Sequence, residues 1–308
     1  YKKTPIEVEA LLTLPKGKGP FPVLILVHSS GGAKEFTEDY LEFMRDQQKP
    51  LLDMGIATMY LDNFSARGVK HTYRDQSKAS IWSTYVDAFM ALEYLSKDSK
   101  FNKKKIGISG FSRGGNISMM VGEKRIRDAL VSKDLYFAAA QPRSPECGMT
   151  GMFRNPQPIK ETKMWLVHGM ADDLTLNGPC VEQAKKMNAN GGNVKIDLRE
   201  GWHHMFTGNF DAEFVKNFQT FYKCPPWYTE DDGSANKEWL DMLLKHSVFK
   251  SEKEFDKISK ENPKAAFKKI FKGLKREKCI GKGAHVGGDN GKIFMPEYLS
   301  FWKKSLID

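Results

Sequence analysis

The sharpest chemical signal in this chain is Gly110-Phe111-Ser112-Arg113-Gly114, a serine between two glycines at the spacing G-x-S-x-G. At this glycine content the pattern recurs by chance in about one chain in ten, so its surroundings must decide. A strand-like run, Ile106–Gly110, precedes it, and a helix-like run, Asn116–Val121, follows. Strand, tight turn and helix are what a nucleophile elbow requires. Small residues two before and two after the serine let strand and helix come close, while the serine takes the strained turn. Its hydroxyl then projects at a helix N-terminus, where the dipole favours negative charge. The bland alternative is a glycine-rich turn with no chemistry.

A hydroxyl of ordinary acidity needs a base, and the base needs an acid to orient it. On an elbow of this kind the order along the chain is Ser, acid, His. The run Met164–Val167 leads into His168-Gly-Met-Ala-Asp-Asp173, an acidic turn past a strand end. The run near 194–198 leads into Glu200-Gly-Trp-His-His-Met-Phe206, which brings histidines to the same rim. The residues alone leave the acid as Asp172 or Asp173 and the base as His203 or His204. His28, His71, His168, His246 and His285 read as structural or surface groups, with His28 and His168 placed to order the rim loops. An oxyanion hole needs two backbone N–H groups. Arg113, directly after the serine, supplies one, and Ser30 in His28-Ser-Ser-Gly-Gly32 is the expected second.

Such a constellation needs a frame. The first two-thirds of the chain alternates strands and helices, the pattern of a mostly parallel sheet with helices on both faces. Ile6–Leu14 reads as an edge strand, and Phe21–Val27 as a strand buried on both faces. A helix carrying Tyr40, Phe43 and Leu51, a strand over Gly55–Leu61 and a helix over Ser80–Leu95 follow. Ile106–Gly110 is entered from a turn at Lys103–Lys105. Leu135–Ala140 and Met164–Val167 are further strands, and Val194–Leu198 lies near the other edge. Lys237–His246 and Glu252–Lys275 then read as Lys-rich helices with apolar positions at Phe255, Ile258, Phe267, Ile270 and Phe271. Gly281–Gly291 reads as loop and Pro296–Leu306 as a final amphipathic helix. Residues 1–222 and 279–308 are therefore taken as the core and 223–278 as a helical insertion, open to roles as a lid, a dimer contact or decoration.

The 308 residues suffice for one large α/β domain with an appendage, and 40% hydrophobic residues can fill its core. No apolar run is long enough to span a bilayer. The net charge of +10 is spread along the chain without a nucleic-acid motif, so solvated helix faces explain it better than a polyanionic partner. None of the four cysteines, Cys147, Cys180, Cys224 and Cys279, forms a C-x-x-C pair, which argues against zinc held by cysteine. Their even number suits two disulfides and a periplasmic or secreted location, with the cytoplasm as alternative. The chain opens at Tyr1 and does not show whether a leader preceded it.

With these pieces together the chain resembles the dienelactone hydrolase-like group of α/β-hydrolases, over about 20–222 and again at 279–306. Val27-His-Ser-Ser-Gly-Gly is similar to that group's H-G-x-G-G loop, with Ser29 in place of glycine. Leu61-Asp-Asn-Phe-Ser-Ala-Arg-Gly68 is similar to its D-S-F-x-x-R-G, and Gly201-Trp-His-His-Met-Phe to its G-A-x-H-x-F. The elbow, Pro145-Glu-Cys-Gly, His168-Gly-Met-Ala-Asp-Asp and Cys180 keep its spacing. The resemblance implies an α/β-hydrolase fold, assigns the acid to Asp172 and the base to His204, and brings Cys147 near Cys180. A Cys224–Cys279 pair is a conjecture beside it. The founding members use Cys where this chain has Ser112, which weakens dienelactone as a substrate.

The expected activity is hydrolysis of a small or medium carboxylic ester through a Ser112–His204–Asp172 triad, without metal or organic cofactor. Ser29, Arg67, Arg143 and Trp202 are candidates for touching the substrate, the arginines through a carboxylate. The alternatives are a peptidase or amidase of prolyl-oligopeptidase type and a non-catalytic binding protein of the same fold.

Overall fold

A computed structural model describes residues 6–33, 47–208 and 210–308. Its strands run, in chain order, β1 (Glu9–Thr13), β2 (Phe21–Val27), β3 (Ala57–Asp62), β4 (Phe101–Phe111) and β5 (Ala139–Arg143), then a two-residue β6 (Met152–Phe153), β7 (Lys163–Gly169) and β8 (Asn193–Arg199). Seven of them form one sheet in the order β1-β3-β2-β4-β5-β7-β8, parallel except for β1 at one edge. β2 shows why the sheet is covered on both sides. Val23, Ile25 and Val27 enter one apolar cluster and Leu24 and Leu26 the other, because side chains alternate along a strand. Helices α1 (Ile81–Ser96), α2 (Arg113–Met120), α3 (Lys124–Leu130) and α4 (Asn177–Ala189) follow β3, β4, α2 and β7 respectively. The first cluster holds Tyr85, Phe89 and Leu92 of α1 and Ala184 and Met187 of α4. The second holds Leu51, from the helical residues 47–53, together with residues from the end of the chain. The rest of that expected helix, with Tyr40 and Phe43, lies outside the described residues.

Past the sheet, β9 (Glu213–Thr220) pairs antiparallel with β11 (Gly281–Val286), and a two-residue β10 (Tyr228–Thr229) adds to β6. Helices α5 (Lys237–Lys245), α6 (Glu252–Glu261) and α7 (Pro263–Glu277) lie between, around their own core of Trp239, Leu243, Phe255, Phe271 and Leu274. Cys224–Cys279 closes the base of this helical segment, and Cys147–Cys180 ties the loop after β5 to α4. Helix α8 (Gly291–Trp302) and a last helical turn, Lys303–Ile307, bury Phe294, Tyr298, Trp302 and Leu306 under the sheet.

Several boundaries differ from those read in the sequence. The Lys103–Lys105 turn is part of β4, which pairs with β2 from Phe101 onward through a register shift that accommodates the lysines. Strand β5 starts at Ala139, four residues after Leu135. Phe137 is a buried lead-in, and the strand runs on through Gln141, Pro142 and Arg143, residues whose types do not signal strand. Gly281–Val286 is β11 rather than loop. Ala284 and Val286 alternate inward, and Gly283 at φ 87° takes the bulge. Glu252–Lys275 is two helices, since Asn262 caps a new helix at Pro263. The last helix begins five residues before Pro296. Stacking of Phe294 on Trp165 and its edge contact with Phe206, each at 5.6 Å, hold the first turn in place.

Candidate active site

Strand β4 runs straight into α2, and the chain can turn there only at a strained residue. Ser112 sits at φ 56°, ψ −116°, a left-handed conformation unusual for a residue with a Cβ. The contacts around it explain the glycines. A Cβ on Gly110 would lie 2.3 Å from the Gly114 carbonyl carbon, and one on Gly114 would lie 2.4 Å from the Val27 carbonyl oxygen. The Ser112 N–H donates to Arg143 O at 2.8 Å, which pins the turn to β5. Arg113 opens α2, so its N–H is one of the groups a helix start leaves without an intrahelical acceptor.

The candidate acid and base come from the ends of two strands further along the sheet, β7 and β8. Asp172, in the loop after β7, is buried. Its Oδ1 accepts the N–H groups of Leu174 and Thr175 at 3.1 and 2.9 Å. His204, in the loop after β8, is held by its own backbone: it bridges to Val286, and its carbonyl accepts the Gly287 N–H at 2.6 Å. Its Nδ1 meets Asp172 Oδ2 at 2.7 Å. Burial opposes ionisation of Asp172, but His204, His168 and the bonds to His204 and Thr175 outweigh it and hold the carboxyl below the usual range. A carboxylate at Nδ1 fixes the tautomer with the proton there, which leaves Nε2 with the lone pair a general base needs. Thr175 completes the cluster, its hydroxyl lying 3.0 Å from Asp172 Oδ2, 3.1 Å from His204 Nδ1 and 3.2 Å from Ser144 O.

Ser112 and His204 line a single cavity of about 250 Å³. Ser29, Ser30, Gly31 and Arg113 line it too. Burial keeps His28 neutral, with its pKa pushed down to about 4. Its Nε2 accepts the Asn63 N–H at 3.0 Å, so Nδ1 donates to Ser29 O at 2.7 Å and sets the loop that carries Ser30. Gln76 ties that loop to the elbow. Its amide donates to Ser30 Oγ at 3.0 Å, and its carbonyl accepts from the buried Arg113 guanidinium at 3.1 Å.

The remaining substrate candidates lie elsewhere. Arg67 grips Asp87 with two bonds of 2.8 Å and donates to Asn63 O. Arg143 is buried over the rings of Phe294 and Tyr298, and Trp202 packs against Phe206 at 4.7 Å. None of the three lines the cavity.

Thr175, Gln76 and Glu146 join the site without having been expected from the sequence. Thr175 had a signal, since three residues after an aspartate is where a local turn brings a hydroxyl back to it. Glu146 lines the cavity and accepts the N–H groups of Gly148 and Met149 at 2.9 and 2.8 Å. Burial pushes its carboxyl up to about 7 against those two bonds. The helical segment also lines the cavity, with Trp239 of α5 and Phe267, Ile270, Phe271 and Leu274 of α7.

The strand order, the strained serine after the central strand and the acid and histidine on later strand ends define this chain as an α/β-hydrolase fold. The BD-FAE family model matches residues 11–144, from β1 to the end of β5. A putative dienelactone hydrolase from Klebsiella pneumoniae subsp. pneumoniae MGH 78578 is similar at 16% identity and a TM-score of 0.49, over 65% of this chain and 82% of that one. Est1E from Butyrivibrio proteoclasticus matches at 17% identity and a TM-score of 0.44, over 65% and 86%. Est2, an esterase of Thermogutta terrifontis, matches at 16% identity and a TM-score of 0.48, over 66% and 84%. No curated protein matches the sequence.

Proposed function

We propose that this protein is a serine hydrolase that cleaves a carboxylic ester, with Ser112 as nucleophile, His204 as base and Asp172 as orienting acid. The observation that carries the reading is the buried 2.7 Å contact of His204 Nδ1 with Asp172, its ring in the same cavity as a serine on a strained elbow. No hydrogen bond among the described residues joins the Ser112 hydroxyl to His204. Such contacts tighten when the reacting groups come together.

The steps follow from the groups present. Ser112 Oγ attacks the ester carbonyl as its proton passes to His204 Nε2. Asp172 stabilises the imidazolium, and the N–H groups of Ser30 and Arg113 take the oxyanion. The proton then goes to the departing alkoxide, and an alcohol leaves. Water, activated by the same imidazole, hydrolyses the acyl-enzyme and releases the acid. The insertion, residues 223–278, acts as a fixed apolar cap, and its aromatic wall receives the apolar part of an ester of small or medium size. Two disulfides suit an oxidising compartment outside the cytosol.

The test is a panel of matched p-nitrophenyl esters and p-nitroanilides, assayed on the native chain and on Ser112→Ala. Turnover of esters by the native chain alone supports the reading. Preferential anilide turnover would make it an amidase, and equal rates for both proteins would remove Ser112 from the chemistry.

A further inference from the structure

Each of the two ambiguous pairs leaves one member unused by the chemistry above. Asp173 stands beside Asp172 and His203 beside His204, yet neither lines the cavity. They meet instead at His285, in β11. Asp173 Oδ1 accepts the His285 N–H at 2.8 Å, and Oδ2 lies 2.8 Å from its Nδ1. The rings of His203 and His285 are 5.4 Å apart. One nitrogen from each imidazole and one carboxylate oxygen all lie within 4.8 Å of one another. A second observation is independent of that proximity. Nδ1 of His203 is shut off from water and has no hydrogen-bond partner among the described residues. A buried polar atom left without a partner calls for a water or an ion to satisfy it.

We propose that Asp173, His203 and His285 form a binding site for a divalent transition-metal ion, zinc foremost, on the rim next to the Ser112 cavity. Two imidazoles and a carboxylate suit late first-row ions rather than calcium or magnesium, which take oxygen. Zinc bonds of about 2.0–2.1 Å place tetrahedral ligands roughly 3.3 Å apart, so side-chain shifts of about 1.5 Å or less close the set. Three protein ligands leave a fourth position for water, and the exposed ring of His285 gives the ion an entry path. The three ligands come from the loop after β7, the loop after β8 and β11. The first two of these carry Asp172 and His204, and β11 carries Val286, to which His204 bridges. A bound ion therefore cross-links the segments that hold the acid and base, without touching the reacting atoms.

The experiment uses the full chain stripped with EDTA, zinc chloride titrated in a calorimeter, and thermal melts with and without zinc. We expect one ion per chain and a melting point raised by zinc but not by magnesium. His203→Ala and His285→Gln should each weaken binding by at least about 10- to 100-fold, the loss already typical when only an outer group supporting a ligand is removed. His285 is exposed, so its glutamine variant should fold even if His203→Ala does not. The absence of stoichiometric binding to the native chain overturns the proposal. So does zinc binding to His285→Gln with unchanged affinity, the mark of an adventitious ion only.

Discussion

Asp172 owes its position to local bonds as much as to its partner. Two backbone N–H groups grip one of its oxygens, and the Thr175 hydroxyl and His204 share the other. Asp172→Asn keeps the shape but offers an amide N–H where a carboxylate must accept, which favours the wrong imidazole tautomer. A fall in kcat of about 10⁴-fold is expected, from the cost of this substitution in triads generally. Steady-state kinetics with an ester substrate check it, and a fall below tenfold would contradict the role given to Asp172. Glu146 sets a second expectation. Its folded pKa of about 7 stands above the ordinary 4.5, and burial is the cause. The protonated acid is thus the favoured form inside. Stability from this group is complete below about pH 4.5, declines as the pH rises and is gone above about pH 7. At about 1.4 kcal/mol per unit the loss is about 3 kcal/mol at most. Glu146→Gln should remove this contribution and leave in both proteins the opposite one of His28, whose lowered pKa makes stability rise up to about pH 6.5, so between pH 5 and pH 8 the variant's urea midpoint should rise relative to the native one. Equal changes in both would contradict it. At this scale the strained Ser112 turn was legible because glycines mark the elbow. The choice between Asp172 and Asp173, and between His203 and His204, was open to the residues alone, since adjacent residues share every local pattern, and came only from the family resemblance.

The elements that carry these residues were readable where packing and pattern agree. Phe21–Val27 is apolar throughout because both faces of β2 are covered, and its ends in the structure are those of the run. The failures fall where tertiary contact overrides local preference. β5 keeps Pro142 and Arg143 extended because β4 and β7 flank it. β11 hides its alternation behind glycines, so the site on His285 had no sequence signal. The helical segment between β9 and β11 rests on Cys224–Cys279, which closes a separation of 55 residues. The chain-entropy account gives such a loop about 4 kcal/mol, and measured bridges commonly contribute about 2–4. Replacing both cysteines by serine should therefore lower the free energy of unfolding by about 2–4 kcal/mol, read from the urea midpoint. An unchanged midpoint would mean that the apolar core of Trp239, Leu243 and Phe271 holds the segment unaided.

At the scale of the molecule, one sheet gathers Asp172, His204 and Ser112 at the rim where its strands end, and the helical segment lines the cavity of Ser112 and His204 with aromatic side chains. The positive charge falls in part on the far side of that cover: Lys257, Lys264, Lys268, Lys272 and Lys275 are exposed, while Phe255, Ile270 and Phe271 point inward. Among the described residues no helix is long and apolar enough to cross a membrane. The proposed function requires Ser112 to be an activated nucleophile inside this covered cavity. Its most direct test is intact-mass spectrometry after treatment with a fluorophosphonate, on the native chain and on Ser112→Ala. A single adduct is expected on the native protein and none on the variant. No adduct on either, or the same adduct on both, would contradict it.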